Sequence, residues 1–196
     1  MKETFLYRLL RPVVSIYMKL IYKPQVIYEE PLDFEGPFIF AGTHTSFKDC
    51  LLIASLTNKP LRFLAKKELL DSPFGIFFRF AGIIPVNRKI KDKTVLPAAS
   101  KVLKENYVVV IFPEGTINKT DDLIMPFKKG AAKLAIDNNC KIVPFAINGI
   151  YKRNQIIIKI GKKYSPKTDD VEKETKVLEN KVTTLLESVI KNEFYK

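Results

Sequence analysis

The chain has 196 residues, 46% of them hydrophobic and 28% charged, with 33 Lys and Arg against 21 Asp and Glu and a net charge of +12. That balance argues against disorder and for one globular domain with a sizeable core, while the positive surplus favours anionic partners: nucleic acid, acidic membrane or phosphorylated small molecules. Two distant cysteines, Cys50 and Cys140, and a single histidine speak against a zinc site and for reduced, buried thiols; no metal is expected.

The N-terminal stretch over residues 5–21 is helical in pattern, apolar, aromatic and basic. Arg8, Arg11 and Lys19 interrupt it, so no run of about 18 uncharged residues is available to span a bilayer, and no small-residue cleavage site marks it as a secretory signal. A helix of this kind lies in the headgroup region of a membrane, with packing on the core as the alternative, and Pro12 is expected to kink or divide it. The expected organisation is residues 1–24 as amphipathic membrane-associating helices and 25–196 as one domain, with a linker around Pro24–Pro31.

Short apolar runs follow, at 38–42, 61–65, 82–86, 107–112, 141–147 and 155–160, and read as strands. Between them, 46–56, 72–81, 94–106 and 127–139 read as helices. The alternation predicts an α/β fold: a mixed, largely parallel sheet flanked by helices on both faces, preceded by the N-terminal interfacial segment. The last segment, 168–192, predicts an amphipathic helix with Thr168 as N-cap and Val171, Leu178, Val182, Leu185, Leu186 and Val189 in one docking stripe.

Active groups in such sheets gather in loops after the C-terminal ends of strands, and three polar loops fall there. HTSFKD (44–49) follows the first of these strands. Ser46 and Asp49 fit a capping box, which would leave Asp49 a purely structural duty. Alternatively His44, in the loop before the helix, lets the first-turn carboxylate meet one ring nitrogen and leaves the other as an acceptor, the arrangement a general base needs. Cys50 is expected to point away from that pair, which disfavours a thiol nucleophile. FPEGT (112–116) ends a strand; Gly115 allows a turn whose N–H groups face an anion, and Glu114 either orients a ligand hydroxyl, pairs with an arginine or is simply solvated. VNRK (86–89) puts Arg88 at the same edge, for bidentate phosphate contact or as an ordinary surface arginine.

Taken in order, HTSFKD, GIIPVNR, FPEGT and IVPFAI resemble the four motifs of the glycerolipid acyltransferase family, the enzymes that acylate lysophosphatidic acid or glycerol-3-phosphate. His44 and Asp49 match its histidine–four residues–aspartate motif, Gly82 to Arg88 its second, Phe112 to Thr116 its third without change, and Ile142–Ile147 around Pro144 its fourth; the likeness covers roughly residues 36–150. One departure is Ile117, where members often carry a basic residue; Lys119, Lys128 or Lys129 could supply the charge. The resemblance implies acyl transfer from an acyl-CoA or acyl-carrier-protein thioester to the hydroxyl of lysophosphatidic acid, giving phosphatidic acid. It assigns His44 as base, Asp49 as its support, and Arg88, Glu114, Gly115, Thr116 and Lys128 to the acceptor, with no cofactor beyond the donor substrate. It also implies a peripheral enzyme on the cytoplasmic face of a cell membrane, bacterial in origin, whose partners are the phospholipid surface, the lyso-lipid and the acyl carrier. Glycerol-3-phosphate or a lyso-lipid with another headgroup is the alternative acceptor. The non-enzyme alternative is a basic membrane- or nucleic-acid-binding module; scattered lysines and aromatics held within apolar runs argue against nucleic acid.

Overall fold

The computed structural model describes residues 5–72, 75–80, 82–87, 90 and 92–191. Apolar, β-branched segments form strands β1 (Gln25–Tyr28), β2 (Phe38–Gly42), β3 (Leu61–Lys66), β4 (Ile84–Val86), β5 (Val108–Ile111), β6 (Lys141–Ile147) and β7 (Ile157–Ile160). They make one sheet in the order β1-β7-β6-β2-β5-β3-β4. Neighbours run parallel except β6 and β7, whose short connection allows only an antiparallel return. The expected mixed, largely parallel sheet is therefore observed.

Strand β2 shows why both faces must be covered, because all five of its residues are buried. Phe38 and Phe40 join Val108, Val110 and Phe145 on one face, closed by Leu52 and Ile53 of α2 (Lys48–Ser55) and by Met18 and Tyr22. Ile39 and Ala41 point the other way, with Val109, Ile111 and Ile142, under α4 (Val95–Lys104), α5 (Gly130–Asp137) and α6 (Val171–Lys191). Period-two alternation on a central strand thus feeds two cores, one per face.

Several expectations are corrected. The linker around Pro24–Pro31 contains β1, an edge strand in register with β7. Pro12 does not divide the N-terminal helix: α1 runs Phe5–Tyr17 through it, and the change comes later, as a π-helical turn at Met18–Tyr22. Proline removes one intrahelical bond, a loss this helix absorbs. Helix α6 begins at Val171, and its N-cap is Asp170, whose Oδ1 accepts the N–H groups of Glu172 and Lys173 at 2.9 and 3.1 Å; Thr168 instead accepts the N–H of Asp170. The α6 docking stripe is as expected, with Leu178, Val182, Leu185, Leu186 and Val189 buried. The 72–81 segment resolves into a 3-10 turn at Lys67–Asp71 followed by α3 (Gly75–Phe80). Among the described residues no helix is long and apolar enough to cross a membrane.

Candidate active site

The parallel pairing of β2 with β5, Ala41 opposite Ile111, brings two C-terminal strand ends side by side. The loops leaving them carry His44–Asp49 and Phe112–Thr116. On the other flank β6 pairs with β2 in parallel, Gly42 opposite Phe145, so the loop after Ile147 joins the same edge. Thr43 fixes that junction: its Oγ1 accepts the N–H of Ile147 at 2.9 Å.

His44 is held on every side. Its Nδ1 lies 3.0 Å from Asp49 Oδ2, with the histidine side chain 12% exposed and the carboxylate 0% exposed. Its N–H donates to Glu114 Oε1 at 2.9 Å, and its carbonyl accepts the N–H of Asn118 at 2.7 Å. Its ring stacks on Phe112, centroids 3.9 Å apart and planes 16° from parallel. With Nδ1–H donating to a carboxylate, the free lone pair lies on Nε2, the tautomer a general base requires.

Asp49 is a buried carboxylate compensated by donors. Oδ2 accepts, besides the imidazole, the N–H groups of Thr45 at 2.7 Å and Ser46 at 2.8 Å. Oδ1 accepts the hydroxyls of Tyr151 at 2.5 Å and Thr45 at 3.4 Å. Half of the capping box is therefore present, the Asp49-to-Ser46 contact, while Ser46 Oγ faces the N–H of Lys48 at 3.3 Å. Structural and chemical duties fall on one side chain. Neighbouring Cys50 makes no thiolate: burial, then the Asp49 charge, pushes its thiol up to about 12.

The FPEGT turn lies against this pair. Gly115 has φ +77°, and an added Cβ would come within 2.4 Å of Lys128 Nζ, so the absent side chain makes room for the lysine. The N–H of Lys128 donates to the Pro113 carbonyl at 2.9 Å, which ties it to the turn. Lys128 is thus brought to the place where Ile117 offers no charge, while Lys119 and Lys129 are exposed and Lys129 pairs with Glu172. Thr116 is exposed beside Gly115. Arg88 lies outside the described residues, as does much of 73–84.

A model of the family described as Acyltransferase matches residues 22–148, and that span contains all of these loops. The chain belongs to the acyltransferase family. Among its relatives, the 1-acyl-sn-glycerol-3-phosphate acyltransferase of Bacillus subtilis is 26% identical over 164 residues, covering 80% of this chain and 81% of the relative. The enzyme of that name from Cocos nucifera is 34% identical over 148 residues, 69% of this chain and 48% of the relative. The chain spans about half the length of several such relatives. The crystal structure of PlsC from Thermotoga maritima, a 1-acyl-sn-glycerophosphate acyltransferase, shares the fold with a TM-score of 0.69 at 22% identity, over 95% of this chain and 78% of that one.

In this acyltransferase fold Glu114 turns inward. A solvated turn residue, an arginine partner or a ligand-hydroxyl contact was the expectation; instead its two oxygens accept backbone N–H groups, His44 on Oε1 and Met125 on Oε2 at 3.0 Å, in a side chain 2% exposed. Burial lifts its carboxyl above the usual range against the pull of those two donors. Glu114→Ala would strand both N–H groups and is expected to cost roughly 3 kcal/mol in urea denaturation. A raised folded pKa gives a contribution fully present below the unfolded value and lost as pH rises through the folded one, so the wild-type advantage should narrow with rising pH.

Three contributors escape sequence reading. Phe112 is quoted in the motif, but only the fold shows it as the shelf under the imidazole. Tyr151 reaches Asp49 across 102 residues, with no local pattern to announce it. Gly149, at φ +78°, brings its loop within 2.9 Å of Thr45 Oγ1, measured from an added Cβ; a glycine following a strand is a signal for such a turn.

Proposed function

We propose that this chain acylates lysophosphatidic acid, using an acyl-CoA or acyl-carrier-protein thioester and releasing phosphatidic acid. The observation that carries the reading is the Asp49–His44 pair, with Nε2 unengaged by Asp49, beside a turn that holds Lys128 against Gly115. His44 Nε2 takes the proton of the acceptor hydroxyl as its oxygen attacks the thioester carbonyl. The new C–O ester bond forms, the C–S bond breaks, and the imidazolium returns the proton to the leaving thiolate. Asp49 supports the imidazolium through Nδ1. Arg88, the N–H groups at Gly115 and Thr116, and Lys128 are assigned to the acceptor phosphate, Arg88 on its motif position alone. Glu114 serves that turn from behind. The name borne by the relatives supports this acceptor, and the net charge of +12 suits anionic acceptor, donor and membrane alike. Initial rates with lysophosphatidic acid, glycerol-3-phosphate and a phosphate-free lyso-lipid test the assignment. Lysophosphatidic acid should be the fastest; a preference for the phosphate-free lipid would overturn the phosphate site.

Peripheral attachment to the cytoplasmic leaflet of a bacterial membrane belongs to the same proposal. Leu9, Val13, Ile16, Tyr17, Leu20 and Ile21 are exposed on α1 and the π-helical turn, whereas Met18 and Tyr22 plug the core. Removing the segment would therefore open the core, and a cleaner test keeps it. Val13→Glu with Leu20→Glu should abolish sedimentation with anionic vesicles while leaving the melting temperature within a few degrees, because both positions are exposed. Undiminished binding would place the membrane contact elsewhere.

A further inference from the structure

Tyr151 is separated from the motifs by sequence yet touches their centre. Its hydroxyl donates to Asp49 Oδ1 at 2.5 Å, the oxygen that does not hold the imidazole. Thr45 Oγ1, at 3.4 Å, is the weaker donor to the same oxygen. Without the phenol, the carboxylate would keep a firm grip only on Oδ2 and could swing about its terminal torsion, which is soft. The phenol is itself fixed. Its ring stands edge-on to Tyr22, centroids 5.6 Å apart, and Lys48 Nζ lies 5.2 Å from the Tyr22 ring and 5.4 Å from the Tyr151 ring. The loop carrying it is tied to the N-terminal segment by Asn154 N–H to the Tyr22 carbonyl at 2.8 Å and Arg153 Nη1 to the Leu20 carbonyl at 2.6 Å.

We propose that Tyr151 is a positioning residue for acyl transfer, bracing Asp49 through Oδ1 so that Oδ2 stays on the His44 ring, with its footing on the N-terminal segment. This rests on the reading of His44 as general base. The brace also sets how strongly Asp49 attracts a proton on His44. A phenol donating to Oδ1 draws negative charge away from Oδ2; removing it concentrates that charge and favours imidazolium. The other ionisable groups around the trio are Lys48 and Cys50 from α2, Tyr22 and beyond it Tyr17 from the N-terminal segment, and Glu114 from the turn after β5. Phenolate does not compete: burial first, then the Asp49 charge and its hydrogen bond, push the Tyr151 hydroxyl far above an ordinary tyrosine.

Because the chain holds one histidine, its imidazole gives a single, unambiguous NMR resonance in the untagged full-length protein. Tyr151→Phe should lower kcat by about tenfold with KM for lysophosphatidic acid within about twofold, because the lost bond acts through Asp49 and not on substrate. The acidic limb of kcat/KM and the midpoint of the imidazole resonance should both move to higher pH, by about half a unit. Replacing Tyr151 by 3-fluorotyrosine keeps the shape and strengthens the donor, so the midpoint should move to lower pH; this second variant decides the matter if the first does not fold. An unmoved midpoint, or wild-type kcat in Tyr151→Phe, overturns the brace. Wild-type protein without transferase activity, or His44→Ala with full activity, overturns the function instead. An active wild type, an inactive His44→Ala and an unaltered Tyr151→Phe overturn the brace alone.

Discussion

His44→Ala is expected to lower kcat for acyl transfer by about a thousandfold, the contribution of a well-placed general base. The prediction is this large because His44 is the only imidazole in the chain, and its Cys50 neighbour is held as a thiol by burial and by Asp49. The fold should survive. His44 is anchored mainly by its backbone, through the N–H to Glu114 and the carbonyl from Asn118, and alanine keeps both bonds. The lost ring contact with Phe112 affects a side chain that is partly exposed. A melting temperature close to wild type, with turnover gone and acceptor KM little changed, is the expected pattern; loss of turnover accompanied by unfolding would leave the effect structural. Turnover within tenfold of wild type would remove His44 from the chemistry.

Asp49→Asn is the second large effect, and it differs in kind. Donors to both oxygens surround Asp49: the imidazole and two backbone N–H groups on Oδ2, two hydroxyls on Oδ1. An amide oxygen can occupy the Oδ2 position and keep three of these bonds, while its NH2 meets the hydroxyl oxygen of Tyr151. What disappears is the charge that favours imidazolium in the transition state. We expect kcat to fall by about a hundredfold or more. Stability should drop by about 2 kcal/mol, since hydrogen bonds to a charged acceptor become neutral ones. The opposite amide orientation would aim NH2 at the Thr45 and Ser46 N–H groups and raise the stability cost further. Circular dichroism and kcat measured on the same sample separate the two losses, and an Asn variant with wild-type kcat would leave Asp49 as a cap only.

The parts of this architecture that sequence reveals are those carried by local pattern. Phe38–Gly42 and Lys141–Ile147 are legible to their ends because strands covered on both faces are apolar without interruption. Gln25–Tyr28 is not, because an edge strand buries little and its four residues sit between prolines, as a linker would. The His44–Asp49 contact is legible because five residues of loop and first turn suffice to form it. Burial of Glu114 is hidden, since a glutamate in a turn between proline and glycine is ordinarily solvated, and its partners arrive from residues 44 and 125. The Tyr151 contact is hidden for the same reason on a larger scale. Register between β2 and β6 creates it, and no periodicity encodes register across a hundred residues. Which residue caps α6 is decided by where α6 docks: Asp170 and Thr168 are both good caps, and the helix starts after the first.

The central claim, that this site joins an acyl group to a phosphate-bearing lyso-lipid, is tested most directly by following an isotope-labelled acyl thioester by mass spectrometry. Purified wild-type protein and lysophosphatidic acid in mixed vesicles should yield labelled phosphatidic acid and free thiol in equal amounts, and His44→Ala should yield neither. Thiol release without labelled phosphatidic acid, or label appearing only in a lipid lacking phosphate, would contradict the account.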